Sequence, residues 1–120
     1  MIKNFELDMD YDNLLDICTI TVRDDFKFGK SLELEDGVIL DFDENNLPVS
    51  IELLDISERL GINKSQIESS TVQMKILITE IFLEVRIDFF YKVDEKESIQ
   101  TFDSKIANNY NIPSMELASA

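Results

Sequence analysis

The chain has no histidine and no tryptophan, and in 120 residues it has only one cysteine, three glycines and two prolines. Each shortage excludes some chemistry. Without histidine the commonest general base and the commonest transition-metal ligand are missing. A single thiol, Cys18, forms no disulfide within the chain. It sits among alternating apolar positions with no cationic neighbour in sequence, so a buried inert thiol is expected there rather than a nucleophile. Three glycines provide neither a phosphate-cradling loop nor a nucleophile elbow. No basic-then-apolar N-terminal stretch marks export and no long apolar run marks membrane insertion, so a reducing cytoplasm is the expected compartment. Positive charge is scarce as well: 11 Lys and Arg stand against 25 Asp and Glu, for a net charge of −14. Residues 1–60 hold 16 acids and 5 bases, a net −11, and the remainder hold 9 and 6. Such a field repels phosphate backbones and anionic lipid, so neither nucleic acid nor a membrane is expected as partner. It favours a basic protein or a cation, and it also keeps a small domain dispersed.

What is present is alternation of period two. Phe5, Leu7 and Met9 share one face against Glu6, Asp8 and Asp10, which predicts a half-buried strand. The polar cluster Asp10 to Asn13 is expected to turn the chain. Cys18, Ile20 and Val22 opposite Thr19, Thr21 and Arg23 predict a second strand rich in β-branched residues. Leu32 and Leu34 are followed, across Asp36-Gly37, by Val38, Leu40 and Phe42. Asp-Gly between alternating runs predicts a hairpin with a type I′ turn, positive φ at both central residues. Val49, Ile51 and Leu53 make a fifth strand.

The stretch Asp41-x-Asp43-x-Asn45-Asn46, with Glu52 in twelfth place, has nearly the spacing of an EF-hand calcium loop. That loop needs glycine in sixth place, an N–H in eighth and helices on both flanks. Here Asn46, Pro48 and two alternating flanks occupy those places, and proline has no N–H. Residues 43–47 are therefore read as a hairpin loop, in which Asp43, Asn45 and Asn46 bond their own backbone. A second near-match, Asp8-x-Asp10-x-Asp12-Asn13, ends on Thr19 where a bidentate carboxylate is required, and is weaker still.

In the second half, Asp55 or Ser57 is placed to cap a short helix that Gly61 ends, and Ser65 can start another turn. Residues 71–93 alternate throughout, with a slip of phase between Ile78 and Ile81. The slip predicts two strands, Val72 to Ile78 and Ile81 to Tyr91, reversing at Thr79-Glu80. Leu77, Phe82 and Phe90 fall on the opposite face and call for a cover, from the C-terminal segment or from a second subunit. Asp94-x-x-Glu97 has capping-box spacing, and Ile99, Phe102, Ile106 and Tyr110 recur at helical intervals, so a C-terminal helix packed on the sheet is the expected cover, ended by Asn108, Asn109 and Pro113. The final SMELASA is read as frayed or as one more turn. The expected architecture is α+β and mainly antiparallel, about seven strands in hairpins with one short middle helix and the C-terminal helix. It forms a single domain over residues 1–120, with a β half at 1–62 and a hairpin-plus-helix half at 63–120.

Three ordered segments, YDNLLDICTITV, DGVILDFDENN and VSIELLDISERLGI, resemble the hallmarks of a small bacterial and archaeal family known as domain of unknown function 2283. Its Tyr-Asp pair with a later Asp is matched by Tyr11, Asp12 and Asp16. Its Gly-Val-Ile-Leu-Asp-aromatic-Asp core is matched by Gly37 to Asp43, and its Ile-Glu-aliphatic-Leu-Asp-x-Ser by Ile51 to Ser57. The resemblance covers about residues 5–62. Cys18, Thr19, Pro48 and Ser50 depart from the family's usual residues and bear on the pairing of the fifth strand. The resemblance implies a compact β-rich domain of unassigned activity, suspected in some cases of partnering toxin-like proteins. It transfers no catalytic residue.

Carboxylates are the only acid–base groups left. Asp12 with Asp16, or Asp41 with Asp43, have the spacing of a paired site, but alternation aims Asp41 and Asp43 at one face as a solvated pair, and Tyr11 and Asp12 suffice as turn-fixing residues. No catalytic, cofactor-binding or metal-binding residue is assigned, and no cofactor. The expected function is a non-enzymatic interaction module that binds a basic protein, in an antitoxin-like role, or associates with itself as a homodimer. The alternative is a carboxylate-based divalent-cation-binding or hydrolytic domain.

Overall fold

The alternation from Phe5 to Met9, expected as one strand, is divided between two sheets. In the computed structural model, which describes residues 2–119, strand β1 (Ile2–Phe5) and strand β2 (Leu7–Asp12) lie on either side of Glu6. The Glu6 carbonyl accepts from the Arg23 N–H at 2.9 Å, and the Arg23 guanidinium donates to Glu6 and Asp8. Both sheets face the same interior, so the alternation keeps its phase through the crossing and hides it.

The remaining elements are β3 (Ile17–Val22), β4 (Phe28–Glu35), β5 (Val38–Asp43), β6 (Pro48–Leu54), α1 (Ile56–Leu60), α2 (Lys64–Glu68), β7 (Thr71–Ile78), β8 (Phe82–Val93), β9 (Lys96–Ala107) and β10 (Met115–Ser119). The described residues thus form ten strands and two short helices, where about seven strands and one middle helix were expected. Five strands make an N-terminal sheet in the order β2-β3-β6-β5-β4, and five a C-terminal sheet in the order β1-β10-β7-β8-β9. All pairings are antiparallel except β1 with β10. Inward side chains of both sheets, among them Ile20, Leu40, Phe42 and Ile51 on one side and Ile76, Leu83, Ile87 and Phe89 on the other, join in one apolar cluster. Ile56, Leu60 and Ile67 of the two helices enter the same cluster. The mainly antiparallel reading therefore holds, and the reversal at Thr79–Ile81 brings Ile78 opposite Leu83.

The C-terminal helix is not formed. Residues 96–107 are β9, paired with β8 over its whole length. Along this strand Phe102 and Ser104 are buried, while Ile99 and Tyr110, two of the four residues expected on a buried helical face, are 54% and 48% exposed. Strand pairing with β8 overrides the helical spacing. The Asp94-x-x-Glu97 segment caps nothing: Asp94 and Glu95 have φ of 50° and 67°, the both-positive pair of a type I′ turn. At Asp36-Gly37, where that turn was expected, only Gly37 has positive φ, at 81°. Residues 115–119 neither fray nor coil, since they form β10, which lies between β1 and β7 inside the sheet. Asn108 fixes its approach, donating to the carbonyls of Thr79 and Ile112 and accepting from the Ile112 N–H. Leu77, Phe82 and Phe90 stay half-buried on the outer face, with the Lys105 ammonium 3.9 Å from the centre of the Phe82 ring.

Candidate functional site

The β2–β3 turn comprises residues 13–16, three residues beyond the place expected for its start. Asp12 accepts from the Leu14 and Leu15 N–H groups at 3.0 and 3.1 Å. The Lys64 ammonium donates to the Asn13 carbonyl at 2.8 Å. Asp16 takes the left-handed conformation, φ 57°, which aspartate tolerates better than most residues, and its buried carboxylate turns inward. There it accepts from the Tyr11 hydroxyl at 2.7 Å, from the Ser57 hydroxyl at 2.6 Å and from the Ser57 N–H at 3.2 Å. The Asp16 carbonyl also accepts from the Ile56 N–H.

Helix α1 is therefore capped from 41 positions away. Asp55 occupies the N-cap position, but its side chain accepts no capping hydrogen bond. Burial alone raises the Asp16 carboxyl, but donation by Ser57 and Tyr11 and the charge of Lys64 outweigh it and hold the group below its ordinary value. Burial and the same carboxylate push the Tyr11 phenol up. Tyr11, Asp16 and Ser57 are hallmark positions in the sequence, and the fold brings them into one node. A Ser–Asp–Tyr contact of this kind lacks a base to activate the hydroxyl, since Asp16 is stabilised as an acceptor only.

This node holds a turn whose tip is apolar. Leu14 and Leu15 are 89% and 65% exposed. The polar-turn reading passed over them, although two leucines at a hairpin tip are a signal the sequence carries.

The near-EF-hand loop is a hairpin turn. Asp43 Oδ1 accepts from the Asn45 and Leu47 N–H groups at 2.8 and 3.0 Å, the Asp43 N–H donates to the Leu47 carbonyl, and Asn46 takes φ 62°. Asp41 and Asp43 are not a solvated pair. A register shift between Asp41 and Phe42 buries Asp43 in its own turn and leaves Asp41 on the outer face, hydrogen-bonded by Ser31. Glu52 lies within β6, opposite Thr19 and Ile39. Among the described residues no group of three or more His, Cys, Asp or Glu side chains is placed to hold a metal ion. Cys18 is fully buried, and burial, followed by the charge of Asp10, pushes its thiol up to about 12.

On the outer face of the N-terminal sheet, strand register lines up two rows. One runs Asp10, Thr19, Glu52, Ile39, Glu33 and the other Asp8, Thr21, Ser50, Asp41, Ser31. Neither row contains a lysine or arginine. Arg23, at the edge beside Asp8, is committed to Glu6 and Asp8.

No curated protein and no solved structure matches the chain. Among the described residues no helix is long and apolar enough to cross a membrane. The matching family model covers residues 8–57, a span that contains β3 to β6, nearly all of β2, and ends on the serine that binds Asp16. Residues 8–57 of this chain thus match the model of the family described as protein of unknown function (DUF2283).

Proposed function

We propose that the protein is a non-enzymatic interaction module that docks a basic protein on the outer face of its N-terminal sheet, with Leu14 and Leu15 as the apolar contact. The observation that carries this reading is the pair of carboxylate-and-hydroxyl rows free of lysine and arginine. Neighbouring strands lie about 5 Å apart, within one Debye length of about 8 Å at physiological salt, so the carboxylates of adjacent strands act on a partner together. Complementary charge raises the rate of encounter and fixes register, while a desolvated apolar anchor supplies most of the affinity. Asp12, Asp16 and Lys64 hold the Leu14–Leu15 tip rigid before any partner arrives, and such preorganisation lowers the ordering cost of binding.

The test is affinity capture from the native cell at low salt, followed by identification of the retained protein and measurement of its affinity against salt. A basic polypeptide is expected, weakened by salt, by Leu14→Ser with Leu15→Ser, and by Asp10→Asn with Glu52→Gln. A partner held equally well by both pairs of variants refutes the reading. Self-association is a second reading, favoured by β9, an edge strand of 12 residues that pairs only with β8. Open edges of that length template pairing with another chain, and sedimentation against protein concentration tests it.

A further inference from the structure

The four outer strands of the two sheets differ in how they protect their edges. Strand β1 has four residues and β2 has six. Strand β4 is interrupted by register shifts between Phe28 and Lys30 and between Glu33 and Glu35. Short length and bulges are means by which a sheet avoids pairing with other chains. Strand β9 has neither. Its 12 residues contain no proline and no glycine, and its register with β8 runs unbroken from Lys96 to Ala107. Its charges, Lys96, Glu97, Asp103 and Lys105, are of both signs, so they do not repel every neighbour alike.

The turn determines which backbone groups this edge offers. Asp94 and Glu95 form a two-residue turn, so Val93 and Lys96 close it as a hydrogen-bonded pair. Bonded pairs then alternate, and Ser98, Gln100, Phe102, Ser104 and Ile106 direct their N–H and C=O groups at β8. Glu97, Ile99, Thr101, Asp103 and Lys105 point theirs away from the sheet, and all five residues are exposed. Among the described residues no other backbone group meets them.

A second copy of β9 fits this edge antiparallel, outward residues opposite outward residues. Charge then selects the register. A pairing centred on Gln100 sets Glu97 against Asp103, and one centred on Asp103 sets that aspartate against itself. Centring on Ile99 brings Glu95 against Asp103, and centring on Phe102 leaves Glu97 and Lys105 unmatched. Centring on Ser104 pairs Asp103 with Lys105 but cuts the overlap to residues 101–107. Centred on Thr101, the overlap spans residues 96–106, and Glu97 meets the partner's Lys105 at both ends. Asp103 there faces the partner's Ile99, with no like charge opposed. Within the chain Glu97 and Lys105 lie beside Lys92 and Glu84 of β8 but form no ion pair with them. In the pair, Lys92, Glu97, the partner's Lys105 and the partner's Glu84 make one row of alternating sign, and opposite charges across strands stabilise pairing. The outward residues supply about ten backbone hydrogen bonds, as many as a standard interface carries.

We infer that β9 is a self-pairing edge: two copies join through their β9 strands, antiparallel about Thr101, into one continuous C-terminal sheet. The inference rests on the self-association reading and adds its surface and register.

Thr101→Cys in the full chain tests both. Hydrogen-bonded partners lie about 5.5 Å apart at Cα, within disulfide range, and the native thiol, Cys18, is buried. Mild oxidation is expected to cross-link Thr101→Cys into a dimer and to leave Ile99→Cys, which faces the partner's Asp103, uncross-linked. Sedimentation equilibrium of the unmodified chain is expected to show a concentration-dependent dimer. Thr101→Pro removes an outward N–H and none of the β8 ladder, and is expected to give a monomer with an unchanged circular dichroism spectrum. Glu97→Lys and Lys105→Glu, both at exposed positions, are each expected to weaken the dimer about tenfold and together to recover part of that loss, and they decide the question where the proline variant fails to fold. A strict monomer overturns both the inference and self-association, and leaves the acidic-face reading standing. A dimer indifferent to Thr101→Pro and to both charge variants overturns the inference and leaves self-association standing. Equal cross-linking through positions 99 and 101 overturns the register.

Discussion

Replacing Asp16 with asparagine should cost about 2–3 kcal/mol of folding stability, because the carboxylate is the common acceptor for three donors. Hydrogen bonds to a charged group contribute about 1.5–3 kcal/mol each, roughly twice the neutral value. Asparagine keeps one oxygen, so its NH₂ faces either the Tyr11 hydroxyl, which must then turn to accept, or the Ser57 pair, whose N–H cannot accept, and the charge is lost in both cases. The backbone does not confuse the result, since asparagine tolerates the left-handed φ of 57° as well as aspartate does. The alanine variant adds about 1 kcal/mol of backbone strain. Tyr11→Phe and Ser57→Ala should each cost about 1.5 kcal/mol, and less than additively together, since both act through one carboxylate. Urea unfolding followed by circular dichroism measures these differences. The pH dependence gives a second readout. The folded-state pKa of Asp16 lies below its ordinary value, so its contribution is complete above the unfolded pKa of about 3.9 and is lost as pH falls from there through the folded value. Asp16→Asn lacks that term and should lose less stability than the wild type on acidification. A neutral-pH difference under about 0.5 kcal/mol, or an unchanged acid limb, refutes the reasoning.

Cys18 should resist a thiol reagent in the native state and react once urea unfolds the chain, and rapid native labelling refutes its burial; since its pKa rises from 9.0 to about 12 on folding, stability should fall as pH climbs through that window. Asp94→Asn with Glu95→Gly, which suits the two positive φ values of the β8–β9 turn, should stabilise by about 0.5–1 kcal/mol, and a lower melting temperature contradicts the turn assignment. Gly37→Ala should cost more than Gly61→Ala by about 1–2 kcal/mol, because both glycines have positive φ but only Gly37 would place its Cβ 2.6 Å from the Arg59 guanidinium, which is tied to the carbonyls of Leu54 and Asp36; equal losses by urea midpoint contradict the contact.

The strands were legible because a side chain every second residue must face either core or water, and β3, β6, β7 and most of β8 obey that constraint. Alternation reports a face, however, and not which sheet owns it, so the crossing at Glu6 left no mark. The expected helix over residues 94–110 failed for a related reason. Phe102, Ile106 and Tyr110 lie on one face under period two as well as under a helical period, and only Ile99 distinguishes the two. Ile99 is 54% exposed, so the helical count rested on a residue that buries little. The turns were legible by composition and less so by type: Asp-Gly does not form the type I′ turn, and Asp-Glu does. The twelve residue pairs of β8 with β9 offset the strain of two side chains in left-handed conformation. The Asp16–Ser57 bond has no local signal at all, because it joins residues 41 positions apart.

That bond bears on where function resides. Tyr11, Asp12, Asp16, Asp43 and Ser57 match the family's hallmarks, and the fold uses each of them to close a turn or cap a helix. Groups committed in this way do not reach an incoming molecule without loss of stability. Among the described residues, the groups left uncommitted include Leu14, Leu15 and the outer-row carboxylates of Asp10, Glu33 and Glu52. Leu14 and Leu15 sit in water, where burying each side chain would be worth about 1.5–3 kcal/mol, and the chain spends hydrogen bonds from Asp12, Asp16 and Lys64 on holding them there. A hairpin tip selected for folding alone is served by Asn or Gly. On the interaction reading proposed above, a rigid apolar tip beside an acidic face is what a complementary basic surface with an apolar pocket would bury.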